Sequence, residues 1–151
     1  MKQRSATAAD AELILKLYDL RREAVMRKAR DSMANFWPQS AEEVMQIVQA
    51  FGSEQNAYFR QVVSYWEMAA SLVLKGTLNE ELFLESGGEM VFAFAKLHPF
   101  LAEIRKALNA PEFFSRVEKL LNGSQKGRQM LKATLERVRM IGELRRKAAG
   151  K

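Results

Sequence analysis

The residues of this sequence best suited to chemistry are its lysines and arginines, which are concentrated towards the two ends. Residues 1–35 carry eight Lys/Arg and five acids, residues 36–104 carry three and nine, and residues 105–151 carry thirteen and four. Basic side chains clustered on a helix can neutralise phosphates, so both basic ends are predicted to contain polyanion-binding residues. The candidates are Arg21, Arg22, Arg128, Lys132, Arg139, Arg145 and Arg146.

The basic C-terminal segment has a second interpretation as a peripheral, salt-bridged helix. Acids and bases alternate at intervals of three or four residues between Lys132 and Arg146, which is the spacing of intrahelical ion pairs. Because the centre of the chain is acidic, the basic ends could also find a partner within the chain or in a second copy. Such a helix would pack through an apolar stripe of Leu131, Leu135, Val138, Ile141 and Leu144.

A second candidate site is the pair Trp66 and Glu67, which lies inside the most apolar stretch of the chain. A buried carboxylate must be paired or neutral, because an isolated buried charge is too costly. Glu67 is therefore predicted either to form a structural ion pair, with an arginine of the first helix or with Arg105, or to line a ligand pocket together with Trp66.

The sequence contains few of the groups that catalysis or metal binding requires. It has no Cys and a single His, so thiolate zinc sites are excluded and His98 has no second imidazole beside it. We predict no catalytic residue, no metal site and no cofactor. The residues Glu81, Glu85 and Glu89 recur every four positions, and they are predicted to form a solvated acidic face on one helix.

The elements that position these residues are organised around an apolar stretch from Gln55 to Leu97. Its first half has apolar residues at intervals of three and four, as an amphipathic helix requires. Gly76 is expected to end this helix in a left-handed conformation, and Thr77 or Asn79 can cap the next one. Helices joined by so few residues pack antiparallel, so the sequence predicts a central helix hairpin. Whether Gly87-Gly88 breaks its second arm stays open.

The remaining segments predict further helices within one domain that spans residues 1–151. Residues 1–6 are predicted to be a loose terminus, followed by one long helix to about Asn35 that Trp37-Pro38 terminates. Pro111 is predicted at the first position of a later helix. Residues 123–127 lack the strand and the Gly-Lys-Ser/Thr ending of a phosphate loop and are predicted to be a linker before the C-terminal helix. The predicted fold is all-α, an irregular single-domain bundle of six or seven helices.

The sequence also indicates the cellular compartment in which the protein is expected. No apolar run is long enough to span a bilayer, and the first ten residues lack the apolar core of a signal peptide. The absence of Cys fits a reducing compartment. We therefore expect a soluble, cytoplasmic protein.

Two long segments carry a resemblance to known proteins. They are LYDLRREAVMRKARDSM and FRQVVSYWEMAASLVLKGTLNEELFLESGGEMVFAF, followed by a Pro-containing helix with Arg105. Together they resemble a family of small, all-helical bacterial proteins of unknown function, over about residues 13–106. The resemblance implies an all-α fold and no particular activity.

Three hypotheses for function follow from these observations. The first is a non-enzymatic interaction module that self-associates as a homo-oligomer or binds a protein partner. The second is an accessory protein that binds nucleic acid weakly through its basic first and last helices. The third is an enzyme or small-ligand carrier with a pocket at Trp66 and Glu67.

Overall fold

The computed structural model describes residues 3–150, and Met1, Lys2 and Lys151 lie outside that range. Within it the chain forms nine α-helices, one short 3-10 helix at His98–Phe100 and no strand, so the all-α prediction is confirmed. The helices are α1 (Ala8–Leu20), α2 (Ala24–Asn35), α3 (Ala41–Val48), α4 (Glu54–Leu74), α5 (Glu80–Glu85), α6 (Gly88–Leu97), α7 (Leu101–Leu108), α8 (Ser115–Asn122) and α9 (Gln125–Ala149).

The described residues contain more helices than the six or seven predicted, because two predicted helices are interrupted. The first is broken between α1 and α2, where the Glu23 carboxylate accepts a hydrogen bond from the Met26 N–H at 2.9 Å and caps a new helix. The second is broken at Gly87-Gly88, which ends α5 and begins α6. A Cβ at Gly87 would lie 3.3 Å from the Phe83 carbonyl oxygen, so the backbone at Gly87 lies close to the backbone of α5.

The predicted boundaries of the central hairpin are confirmed. Gly76 follows α4 with a φ of 79°, the left-handed conformation that favours glycine. The Asn79 side chain then accepts the Leu82 N–H at 2.8 Å and caps α5. The Met90–Ala95 run, whose alternating sizes resemble a strand, is helical in α6 and buries nearly every side chain.

Helix α4 lies at the centre of the core and packs against α2, α3 and α8, whereas α6 packs against α9. Along α4 the buried face includes Phe59, Val62, Trp66 and Ala70, at the intervals expected of a helix. Along the predicted stripe of α9 burial decreases towards the C-terminus, and Leu135, Val138 and Ile141 are half-buried. Leu131 is buried, but Leu144 is 64% exposed, so the prediction that Leu144 packs inward is wrong.

Two predicted irregular segments are more ordered than expected. Of the predicted loose terminus at residues 1–6, Met1 and Lys2 lie outside the described residues, whereas the Arg4 side chain forms two hydrogen bonds with the Asp10 carboxylate at 2.6 and 2.7 Å. In the predicted linker, Ser124 already caps α9, which begins at Gln125. Only Gly123 and Ser124 therefore separate α8 from α9, and the linker prediction for residues 125–127 is wrong.

Asp10 ties the N-terminal segment to the hairpin. The carboxylate is almost fully buried and accepts hydrogen bonds from Arg4, from the Thr7 N–H at 2.8 Å and from the Asn79 N–H at 2.9 Å. The hydrogen bond with the Arg4 guanidinium, followed by the backbone N–H groups, holds the Asp10 pKa well below its ordinary value, although burial opposes this.

We expect Asp10→Asn to lower the melting temperature clearly at pH 7, because it removes the charge that these donors surround. The stabilisation by Asp10 is complete above the carboxyl pKa of the unfolded chain, about 4, and is lost as pH falls towards the depressed pKa of the folded state. The difference in melting temperature between parent and variant should therefore shrink below about pH 4. The matched control is Asp19→Asn, since Asp19 is exposed at the end of α1. An equal loss in both variants would contradict this role.

Candidate functional site

An open groove of about 970 Å³ lies between the C-terminal half of α9, the end of α6 and the segment Trp37–Gln39. We call it the basic groove. Apolar side chains form much of its surface. Those side chains are Trp37, Pro38, Pro99, Phe100, Leu135 and Val138.

Four cationic side chains line the basic groove: Lys96 from α6 and Arg139, Arg145 and Arg146 from α9. None of the described groove-lining residues carries a carboxylate. Arg139 pairs with Glu143 one turn further along α9, at 2.9 Å. Lys96, Arg145 and Arg146 form no ion pair within residues 3–150, so none of the three has a carboxylate counter-ion there.

Lys96 is the most unusual of these cations because its side chain is only 3% exposed. Its ammonium donates a hydrogen bond to the Met33 carbonyl oxygen and lies 4.9 Å from the Trp37 ring centroid and 5.6 Å from that of Phe92. Burial, and secondarily the charge of Arg145, lowers the Lys96 pKa to about 8. A buried cation of this kind gains from any anion that reaches it.

Trp37 holds the cations of two helices together. The Arg145 guanidinium carbon lies 5.1 Å from the Trp37 ring centroid, so Arg145 and Lys96 both contact one indole. The indole is itself fixed, because its N–H donates to the Ala34 carbonyl at 3.0 Å and its ring packs edge-on against Phe92. The positive charges of Lys96 and Arg145 thus lie against the same fixed aromatic ring.

Comparison with known proteins places the chain in a family. The family described as "Domain of unknown function (DUF4760)" matches residues 6–124, which is most of the chain. The chain belongs to the DUF4760 family. The match confirms the predicted resemblance to a family of unknown function and extends further than residues 13–106. No curated protein and no solved structure matches the chain.

The basic groove joins the DUF4760 segment to the helix that follows it. Lys96 and Trp37 lie within the matched residues 6–124, whereas Arg139, Arg145 and Arg146 lie on α9, outside them. Among the helices that the structure describes, none is long and apolar enough to cross a membrane.

The structure separates the predicted polyanion-binding residues into three groups. Arg139, Arg145 and Arg146 meet in the basic groove. Arg21 is buried beside Glu89 and Trp66, and Arg128 donates to the Asn122 carbonyl at 2.9 Å, so both have structural contacts. Lys132 and Arg22 are exposed away from the groove.

Sequence reasoning missed Lys96 and Trp37 as site residues. The signal for Lys96 was present, since a lysine stands on the buried face of the apolar run Met90–Leu97 of the DUF4760 segment. Trp37 carries no comparable signal, because Trp37-Pro38 indicates only the end of a helix. Their proximity to α9 depends on packing between segments that are far apart in the sequence, about fifty residues for Lys96 and about a hundred for Trp37.

The predicted pocket pair Trp66 and Glu67 does not form one site. The Glu67 carboxylate accepts the Val117 N–H at 2.9 Å and the Arg116 N–H at 3.3 Å, so it caps the N-terminus of α8. Its ion pair is with Arg116 at 3.5 Å, rather than with an arginine of the first helix or with Arg105. Glu67 therefore forms an ion pair, as one alternative predicted, but with a different partner. It also lines an open, mostly apolar groove of about 700 Å³, from which Trp66 is absent.

Trp66 faces a separate region between α2, α4 and α6, where it helps to line a cleft. The predicted acidic row is likewise divided, because Gly87-Gly88 places Glu89 on α6 while Glu81 and Glu85 lie on α5. Glu89 forms a two-point ion pair with Arg30, at 2.7 and 2.9 Å. Within residues 3–150 no cluster of three or more His or acidic residues could hold a metal ion.

Because the pKa of Lys96 is lowered in the folded protein, we expect the free energy of unfolding to depend on pH. Between pH 8 and the ordinary lysine value of about 10.4, the unfolded chain holds a proton at Lys96 that the folded chain has lost, so folding becomes more favourable as pH rises. We expect the stability of the parent, relative to Lys96→Met, to rise by on the order of 2–3 kcal/mol across that window. Denaturant unfolding of both proteins at several pH values measures it. A constant difference would show that Lys96 titrates normally.

Proposed function

We propose that this protein is a non-enzymatic binding protein that holds the phosphate backbone of a nucleic acid in the basic groove. The observation that carries the proposal is the convergence of Lys96, Arg145 and Arg146 on one groove whose described lining has no carboxylate. Guanidinium groups match phosphate oxygens in a two-point geometry, and three of the four cations in the groove are arginines.

Two further features support a nucleic acid as the partner. The apolar lining around Trp37 and Phe100 offers surface to sugars and bases beside the phosphates. Residues 105–151 also have an excess of nine positive charges, which draws a polyanion towards this end of the molecule before contact.

Binding of a labelled single strand and a labelled duplex across a range of salt concentrations tests the proposal. We expect the affinity of the parent to fall steeply with salt, because each neutralised phosphate releases counterions. The double variant Arg145→Glu/Arg146→Glu should bind at least roughly tenfold more weakly at low salt, with a salt slope smaller by about two.

The matched control is Lys132→Glu/Arg137→Glu, which makes the same change in net charge on exposed positions of α9 outside the groove. This control should retain most of the affinity. An equal loss in both double variants would show diffuse attraction to α9 and would overturn the groove as the site. No binding of either probe at low salt would overturn the nucleic-acid proposal and leave an acidic protein as the partner.

A second candidate function is self-association, which the exposed apolar residues of α9 favour. Met140 and Leu144 stand one turn apart and are 57% and 64% exposed, so they could pack against the same surface in a second copy. Sedimentation of the parent and of Met140→Gln/Leu144→Gln tests this, with a smaller mass expected for the variant if the parent is a dimer. A monomeric parent would overturn the proposal of self-association.

The cytoplasmic location and the bacterial source implied by the resemblance stay predictions.

A further inference from the structure

A cleft of about 370 Å³ lies between α2 and α6, with α4 as its floor. We call it the α2–α6 cleft. It is separate from the basic groove, and Lys96 is the one residue that lines both. Its floor is apolar and well fixed, since Val62 and Trp66 of α4 are each at most 2% exposed.

Two polar links join α2 to α6 across this cleft. At one end Arg30 pairs with Glu89, and at the other the Lys96 ammonium donates to the Met33 carbonyl. Glu89 and Lys96 are seven residues apart on one helix, which corresponds to about 10 Å along its axis. The space between the links therefore has the length of a small organic molecule.

The two cations that bridge the cleft differ in what they can still bind. The charge of Arg30 is already paired, because its Nε and Nη2 donate to the Glu89 carboxylate, and its Nη1 donates to the Arg21 carbonyl at 3.1 Å. Lys96 donates one hydrogen bond and has no carboxylate partner within the described residues. An ammonium has three donors, so Lys96 retains two for a ligand.

The floor of the cleft contains a further unused donor. The Trp66 indole N–H is buried and has no acceptor among the described side chains and backbone atoms. Buried donors without partners are uncommon in native proteins. The cleft thus combines a buried cation without a carboxylate partner, an unsatisfied donor on a floor residue and apolar walls from Met33, Phe92 and Ala93. The exposed residues Arg27 and Asp31 complete its lining and add one charge of each sign.

We propose that the α2–α6 cleft binds a small organic acid, with its carboxylate on the Lys96 ammonium and its aromatic or aliphatic body on Trp66 and Val62. The carboxylate supplies the counter-ion that Lys96 lacks. The apolar body replaces water on a floor that is rigid before binding, which is the arrangement that small-molecule sites use. The site shares Lys96 with the basic groove, but no residue of α9 lines it.

The probe that tests this proposal is 3-phenylpropionate, compared with 3-phenylpropan-1-ol, which has the same body without the charge. In protein labelled with 15N at tryptophan, we expect phenylpropionate to shift the Trp66 indole signal saturably and the alcohol to bind at least tenfold more weakly. The Trp37→Phe variant assigns the two indole signals, since the chain has two Trp.

Two variants locate the binding. Lys96→Met removes the ammonium, and Ala34→Leu fills the cleft from an exposed rim position without changing its charge. Each should weaken phenylpropionate at least tenfold, whereas the control Lys106→Met, at an exposed position of α7, should leave its affinity unchanged. Ala34→Leu should not affect nucleic-acid binding, so this test is independent of the previous one. Equal affinity for acid and alcohol, unchanged binding by Lys96→Met or Ala34→Leu, or no saturable shift with millimolar phenylpropionate would overturn the proposal.

Discussion

Trp66→Ala is expected to destabilise the protein by about 3–5 kcal/mol, the cost of truncating a fully buried aromatic side chain. Trp66 is 2% exposed in the middle of α4, where it packs edge-on against Tyr65 and lies 5.4 Å beneath the Arg21 guanidinium. Removing the indole leaves a cavity among α2, α4 and α6 that a helical core fills only partly. For a chain of this length the melting temperature should fall by roughly 6–20 °C.

Thermal and denaturant unfolding of the variant, followed by far-UV circular dichroism, measure this effect. The matched control is Met68→Ala, two residues further along α4, because Met68 is 45% exposed and its truncation opens no enclosed cavity. We expect the control to lose only a small part of the stability that Trp66→Ala loses. A Trp66→Ala variant that melts within a degree or two of the parent would show that the face of α4 carrying Trp66 is not the core face.

Gly127→Ala and Gly142→Ala are expected to change stability in opposite directions, although both glycines lie in α9. A Cβ at Gly127 would lie 2.5 Å from the Leu121 carbonyl oxygen and 3.0 Å from the Leu121 Cα, and backbone atoms cannot move aside as a flexible side chain does. We expect a loss of about 1–3 kcal/mol at this position, because α9 must shift away from α8. At Gly142 nothing lies within 4 Å of an added Cβ, so the better helix propensity of alanine should stabilise the protein by up to about 1 kcal/mol.

Denaturant unfolding of the two variants side by side gives the comparison, and each serves as the control for the other. Because Gly127 sets how closely α9 approaches α8, its substitution should also disturb the alignment of Arg145 with Trp37 and weaken anion binding in the basic groove. Equal stabilisation by both substitutions would show that α9 does not dock closely on α8.

Much of the secondary structure was predictable because helix boundaries are set by local chemistry. Ser40 accepts the Glu43 N–H at 3.2 Å, Ser53 accepts the Asn56 N–H at 3.1 Å, and Asn79 caps α5, each within three residues of its partner. Such signals depend only on residues that are neighbours in the sequence, so they can be recognised without knowledge of the fold. The long apolar helical periods of α4 and α6 indicated the core for the same reason.

The helix α8 shows where local chemistry was insufficient. Pro111 predicted a helix start, yet α8 begins at Ser115, after Phe114 adopts a φ of 56°. The groups that cap α8 come from the carboxylate of Glu67, about fifty residues earlier in the chain. No local pattern around Pro111 contains that partner, so the sequence predicted an ion pair or a pocket for Glu67 but not its role at the start of α8.

The sequence by itself determined the fold class, the family membership and the charge of the C-terminal segment, because helical periodicity, caps and composition are properties of neighbouring residues. Only the tertiary structure decided which of those charges act together. Arg145 meets Lys96 on the ring of Trp37 because α9 packs along α6. Burial beside Met33, Trp37 and Phe92, and secondarily the charge of Arg145, lowers the Lys96 pKa. The sequence determines which residues are charged. The packing of distant segments determines which of those residues lie close together and which are buried, and the candidate sites depend on charge, proximity and burial together.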